Sequence, residues 1–262
     1  MRYRFVCEYN GFAFCGWQEQ TKNNVVCEKT VQSELENAFE IALKQKIKIV
    51  GSGRTDSGVH SRGQVAHFDF FAQKAGDASI KQTETLTEEL NCRTVEKSVN
   101  ALTCKDVCIR NLEQCSNDFH ARYSATERYY IYTLCNSPIV LGREYIWECG
   151  NYNLNFSAME SEAKKFLGTK DFNSFSIPRN DGKSTECTLT EFRVEQIGGI
   201  FKFHIRGNRF LHRQVRSMVG LLFDVGRDRY PVGSVEKVFS DTFKGERTWA
   251  PPQGLVLEGV GY

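Results

Sequence analysis

The chain has 262 residues, 40% of them hydrophobic and 25% charged, with a formal net charge of +2. That composition is ordinary for a globular protein; the length holds one large domain or two small ones, and no apolar run approaches the roughly 20 residues of a membrane span. Bulk charge announces no nucleic-acid partner, and the ten cysteines contain no Cys-x-x-Cys; the closest pair, Cys104 and Cys108, lacks a second pair at zinc-finger spacing.

Met1-Arg2-Tyr3-Arg4-Phe5 leads directly into a strand pattern, so no signal peptide is expected. The cysteines are then expected as reduced thiols in a cytoplasmic protein. From Arg2 to Tyr9 the chain alternates, with Tyr3, Phe5, Cys7 and Tyr9 on one face, which predicts a strand. Asn10-Gly11 signals a turn. Val31, Leu35, Ala38, Phe39, Ala42 and Leu43 fall at helical spacing and predict a helix over about 31–45 capped by Thr30.

The apolar run Ile47-Lys48-Ile49-Val50 stops at a stretch holding Gly51, Gly53, Gly58 and Gly63, four glycines in thirteen residues. Glycine permits positive φ and close backbone approach, so a tight, shaped loop is expected. It carries one carboxylate, Asp56, two guanidiniums, Arg54 and Arg62, and one imidazole, His60. It does not match a phosphate-cradling pattern. Gln64 to Phe71 alternates and predicts a strand. Residues 76–89 are polar and read as a surface insertion.

Glu127 to Cys135 is strand-like, with Tyr130, Tyr132 and Leu134 on one face. Ser157 with Glu160 forms a capping-box pattern ahead of Met159, Ala163, Phe166 and Leu167, a helix that Gly168 ends. Leu189 to Ile197 and Ile200 to Arg206 flank Gly198-Gly199, a hairpin signal. The segment from Lys202 to Arg216 holds Lys202, Arg206, Arg209, Arg213, Arg216, His204 and His212 with no acid among them, a cluster suited to phosphate contact. It enters a helix with Val215, Met218, Val219, Leu222 and Val225 inward, and a last strand runs to Tyr262.

Gly53-Arg54-Thr55-Asp56-Ser57-Gly58-Val59-His60, followed by Gly63-Gln64-Val65-Ala66-His67-Phe68, closely resembles the signature loop of tRNA pseudouridine synthases of the TruA type. Tyr9 to Gln18, Phe119 to Thr126, Arg128-Tyr129-Tyr130-Ile131-Tyr132, Asp171 to Phe175, Asn208 to Arg216 and Ala250 to Leu255 resemble other motifs of the same family. The resemblance covers nearly the whole chain except about 72–95 and a loop near 177–184. Four positions depart from it: Asn10 stands where the family has Asp, Thr103 where it has proline, and Arg213-Gln214 where it has His-Met.

The resemblance implies an α+β fold of two related lobes, 1–110 with the catalytic loop and 111–262. Their mixed, largely antiparallel sheets would join into one central sheet, with helices on the outer face and RNA in a cleft between. It implies isomerisation of uridine to pseudouridine in the anticodon stem-loop of tRNA (positions 38, 39 and 40), by a homodimer without cofactor or metal. Asp56 maps onto the catalytic aspartate, Tyr130 onto the tyrosine that stacks on the target base, and Arg216 onto the arginine beside the aspartate. Arg54 is expected to brace the space left by the extruded base, and Arg206, Arg209 and Arg213 to contact phosphates. A short carboxylate on a stiff loop suits covalent attack or proton transfer. Two other readings stand beside this one: a tRNA-binding protein of the same fold without turnover, and a Cys- or His-dependent enzyme or metalloprotein.

Overall fold

The structure, a computed structural model, describes residues 1–18, 21–22, 25–26, 29–71, 89–178 and 182–262. Eight strands lie side by side in one mixed sheet: β1 (Arg2–Tyr9), β2 (His60–Asp69), β3 (Val107–Cys115), β4 (Glu127–Cys135), β5 (Gly168–Asp171), β6 (Glu186–Ile197), β7 (Ile200–Gly207) and β8 (Leu255–Gly261). Their order is β3-β1-β2-β8-β4-β7-β6-β5, and two short strands, Val50–Gly51 and Trp147–Glu148, join at β2 and β4 to make ten. Along the row of eight, neighbours are antiparallel except β8 with β2, which is parallel through Val256 opposite His60. Five helices complete the α+β fold among the described residues: α1 (Val31–Leu43), α2 (Cys92–Leu102), α3 (Phe156–Lys164), α4 (Gln214–Gly226) and α5 (Ser234–Phe239).

Two apolar cores form, because the sheet is wider than one core. The first gathers Tyr3, Phe5, Cys7 and Tyr9 of β1 with Leu35 and Phe39 of α1, Val99 of α2 and Phe68 of β2. The second gathers Tyr132 and Leu134 of β4 and Phe201, Phe203 and Ile205 of β7 with residues of α3, α4 and α5. Val59, the residue before β2, packs in the second core. The segment carrying Asp56 therefore runs between the two cores, beside β8, which pairs with both β2 and β4.

β1 and β4 occupy the predicted residues, and the β6–β7 hairpin turns on Gly198, whose φ is +57°. Thr30 caps α1, accepting a hydrogen bond from the Ser33 N–H. Several expectations are corrected. β2 begins at His60 rather than Gln64, because residues 60–61 already pair with β1 and β8. α3 starts two residues earlier than the Ser157–Glu160 pattern suggested: Asn155 is the cap, accepting from the Ala158 N–H at 3.0 Å, and Ser157 lies inside the first turn. The same helix stops at Lys164, so Phe166 fills the core from beyond its end and Leu167 is partly exposed. α2 and β3 had no sequence prediction. The polar segment 76–89 lies outside the described residues up to 88, and α2 starts soon after, at Cys92. Cys15 is disulfide-bonded, against the expectation of reduced thiols throughout, while the eight other described cysteines are free. The backbone N–H of Cys15 donates to Lys29 O at 2.9 Å, which draws those two stretches together. No helix among the described residues is long and apolar enough to cross a membrane.

On the sheet face away from the first core, His67 is 3% exposed and its Nδ1 accepts from the Ala121 N–H at 3.1 Å. Burial, with Arg2 and His120 nearby, lowers its pKa from 6.5 to about 4. The fold thus holds His67 neutral, and the unfolded chain takes up the proton first as pH falls. Stability is full above about pH 6.5 and is lost down to about pH 4. Urea unfolding should therefore show the wild type losing about 2 kcal/mol more than His67→Gln between pH 7.5 and pH 4.5. Parallel losses in both proteins would contradict this.

Candidate active site

The loop of residues 52–59 is fixed from both sides. At its start the Ser52 N–H donates to Val65 O at 2.8 Å, and the buried Gln64 donates from Nε2 to Gly53 O at 3.0 Å. From the other side, the segment that follows β1 clamps it. Tyr9 and Thr55 share a buried hydroxyl hydrogen bond of 2.8 Å, the Trp17 N–H donates to Thr55 O at 3.2 Å, and the Gly58 N–H donates to Gly11 O at 3.2 Å. His60 Nδ1 accepts from the Gly11 N–H at 3.0 Å. The Val59 N–H closes a turn onto Asp56 O at 3.1 Å, and Gly58 at its third position has φ +81°, a left-handed value that a side chain strains to adopt. At Gly11 an added Cβ would lie 2.2 Å from Val59 O, so only glycine lets the clamp close.

This frame presents the Asp56 carboxylate to the N-terminal turn of α4. Arg216 Nη1 donates to Asp56 Oδ2 at 3.0 Å, while its Nε donates to Ala250 O at 2.8 Å. Two separate acceptors hold one guanidinium, so its direction is set. Arg213 Nε lies 3.8 Å from Oδ2, and His212 Nε2 lies 3.4 Å from Oδ1. The first turn of a helix adds its own positive potential. Asp56 is 21% exposed and Arg216 12%, so the pair is shielded enough to be strong and open enough to be reached.

Tyr130 sits on β4 opposite Ile205 of β7 and Leu257 of β8, partly buried, with its ring edge-on to Phe210 at 5.2 Å. Burial pushes its hydroxyl up to about 12; Arg128 opposes the rise and Asp56 adds to it. The phenol therefore keeps its proton at neutral pH. Arg128 is a partly buried tie, donating to Ala125 O (3.0 Å), Asn208 O (2.6 Å), Arg122 O (2.9 Å) and Ser52 O (3.2 Å). It joins the start of the Asp56 loop to the strand of Tyr130.

The other predicted residues divide. Arg54 is exposed and Arg209 partly buried; among the described residues neither forms an ion pair. Arg206 is spent on carboxylates, with Nε 2.8 Å from Glu191 and Nη1 3.0 Å from Glu127, and it stacks over Tyr129. The acid-free run from Lys202 to Arg216 is thus not acid-free in space, because neighbouring strands supply the carboxylates. Arg213, expected among phosphate contacts, also stands beside Asp56. The clamp from residues 11–17, the tie through Arg128 and the approach of His212 to Asp56 were not foreseen. One signal was available for the last: Arg213 and His212 precede Arg216 by three and four residues at the entry to a helix. Among the described residues no group of three or more His, Cys, Asp or Glu side chains is arranged to hold a metal ion.

Residues 6–124 and 163–262 match a protein family described as tRNA pseudouridine synthase. The tRNA pseudouridine synthase A of Maridesulfovibrio salexigens is 37% identical over 268 residues, covering 100% of this chain and 90% of that protein. The tRNA pseudouridine synthase A 2 of Clostridium perfringens is 32% identical over 265 residues, covering 99% and 98%. The tRNA pseudouridine synthase A of Caulobacter vibrioides is 34% identical over 265 residues, covering 100% and 98%.

Proposed function

The chain belongs to the tRNA pseudouridine synthase family and is an isomerase, and from that premise we propose that Asp56 is its catalytic nucleophile, acting on uridines of the anticodon stem-loop of tRNA. One observation carries the reading: a lone loop carboxylate is brought within 3.0 Å of Arg216, 160 residues away in the chain. Oδ1 or Oδ2 attacks C1′ as the N1–C1′ bond breaks, and its electron pair leaves with the uracil ring. The ring turns, C5 bonds to C1′ and the carboxylate is expelled. C5 loses a proton and N1 gains one, so the nucleotide is rearranged with nothing added. The cations around Asp56 keep its charge in place before attack and receive it again at expulsion.

Extruding a stacked base costs a few kcal/mol. Arg54, exposed and outside any described ion pair, supplies a guanidinium to occupy the vacated space, and Tyr130 offers a face to the extruded base. Its hydroxyl is protonated at rest, so Tyr130 acts as platform and hydrogen-bond donor before any part it takes in removing the C5 proton. Tyr130→Ala should weaken engagement of the target uridine by roughly 1–3 kcal/mol, seen as a rise in KM for tRNA. Tyr130→Phe should keep KM within about twofold, since base–aromatic stacking survives. A Phe variant as weak as the Ala variant would assign the binding to the hydroxyl.

Arg209 and Arg213 remain proposed phosphate contacts; the charge of Arg206 is already answered by Glu127 and Glu191. Replacing Arg209 by Ala should flatten the plot of log affinity against log salt by about 0.7–0.9, the value of one phosphate contact. Arg206→Ala should leave the slope in place, and equal flattening by both would return Arg206 to the RNA surface. The division into lobes 1–110 and 111–262 with RNA between them, a cytoplasmic location and a homodimer belong to the same proposal, carried by the family resemblance. Mapping pseudouridines in tRNA from cells with and without this protein tests activity and site together. Loss confined to the anticodon stem-loop is expected, and an unchanged map favours the binding protein without turnover.

A further inference from the structure

The Asp56 carboxylate presents two unlike oxygens. Oδ2 faces two guanidiniums, with Arg216 Nη1 at 3.0 Å and Arg213 Nε at 3.8 Å. Oδ1 faces one imidazole nitrogen, His212 Nε2, at 3.4 Å. A lone pair engaged in a charge-assisted hydrogen bond is withdrawn from attack. An oxygen whose neighbour stands at the outer limit of hydrogen bonding keeps its lone pair available. Both oxygens belong to one rigid group, so whatever stands beside Oδ1 also sets the plane in which it points.

His212 is held for that place. Its carbonyl accepts from the Ile177 N–H at 3.1 Å. The next residue, Arg213, takes a left-handed conformation, φ 61° and ψ 12°, at the entry to α4 and without a side-chain cap. Such backbone is uncommon outside glycine and persists where its surroundings fix it, often beside a functional group. The fixing contact is the fully buried Gln214, whose Oε1 accepts from the Leu211 N–H at 2.8 Å.

We propose that Oδ1 is the attacking oxygen of Asp56 and that His212 is the positioning residue that aims it. The inference rests on the reading of Asp56 as nucleophile. Before attack, the loose contact at 3.4 Å orients Oδ1 without consuming its lone pair. While Oδ1 is bonded to C1′ it is a poor acceptor; when C5 returns and the C1′–Oδ1 bond breaks, its electron pair and charge come back to Oδ1 beside the imidazole N–H. The interaction therefore strengthens as the carboxylate is released, which favours the transition state over the ground state.

The test is steady-state tritium release from C5-tritiated tRNA by His212→Phe, His212→Asn and His212→Gln. The Gln amide nitrogen reaches the Nε2 position; the Asn amide stops near Nδ1; Phe fills the volume without donating. His212→Phe and His212→Asn should lose about 10- to 100-fold in kcat with KM within about twofold, the scale of a misplaced reacting group. His212→Gln should recover to within about threefold of wild type, as expected when one donor replaces another in the same place. If all three retain wild-type kcat, or if Gln falls as far as Phe and Asn, the proposal fails. If the loss is in KM alone, His212 contacts RNA and the assignment is likewise overturned. Should Phe not fold, the Asn and Gln pair alone decides. Asp56→Asn run alongside separates the two readings: turnover in that variant removes the nucleophile, whereas a dead Asp56→Asn with an unaffected His212→Asn removes only the role of His212.

Discussion

Asp56→Asn should release no tritium from C5-tritiated uridine in tRNA above the uncatalysed background, a loss of at least about 10⁴-fold in kcat, because removing the nucleophile of a covalent mechanism leaves only binding and orientation. Affinity for tRNA should stay within about threefold, since the amide keeps the size and hydrogen-bonding outline of the carboxylate. The fold should survive as well. The loop around Asp56 is held by its backbone and by Thr55, Ser52, Gly58 and Gln64, not by the carboxylate. What the substitution does remove is the negative charge among Arg216, Arg213 and His212. A variant that still turned over at a measurable fraction of the wild-type rate would end the account of Asp56 as nucleophile.

Arg216→Lys should be the next most damaging change, lowering kcat by about 10²–10³-fold, equivalent to roughly 2.7–4 kcal/mol of transition-state stabilisation. Arg216 makes two bonds in two directions, to Asp56 Oδ2 and to Ala250 O. A lysine ammonium keeps the charge but has one nitrogen and no planar fork, so it satisfies one acceptor and releases the other. If it keeps Asp56, the strand-entry segment at Ala250 loosens; if it keeps Ala250, the carboxylate is left to Arg213 and His212. Either way the charge is less well placed when Asp56 is expelled. Arg216→Ala should be worse and should also lower thermal stability, because it leaves Asp56 without its closest cation. A lysine variant within about threefold of wild type would mean that charge alone suffices, and the geometric part of the account would be lost.

Legibility in the sequence followed how local each determinant is. α1 announces itself because Thr30, Val31, Leu35, Ala38 and Phe39 lie within one helix and its cap. β4 and the β6–β7 hairpin are readable for the same reason. α2 was hidden because only Val95 and Val99 of its residues are buried, too narrow a stripe beside a polar stretch. β3 was hidden by a bulge: Asn111 takes φ 56°, the register to β1 shifts there, and Leu112 rather than Asn111 turns inward, breaking the alternation that marks a strand. At α3 two capping patterns overlap, and Asn155 prevails over Ser157 because its side chain reaches the Ala158 N–H.

The site divides in the same way. The glycines around Asp56 mark a shaped loop, and the family resemblance pairs it with Arg216. The sequence does not show that Glu127 and Glu191 arrive on neighbouring strands to claim Arg206. Nor does it show that the turn before α4 carries His212 and Arg213 to the same carboxylate. Those contacts depend on sheet order and on one left-handed residue, and neither is written in a local pattern.

The account comes down to where one carboxylate stands relative to one sugar carbon. The direct measurement is a crystal structure of the Asp56→Asn variant bound to an anticodon stem-loop of tRNA. The expected result is a flipped uridine over Tyr130 with its C1′ about 3–3.5 Å from the Oδ1 position of residue 56, the spacing of groups about to react. A bound stem-loop whose nearest uridine C1′ lies beyond about 6 Å, out of reach for direct attack, would contradict it.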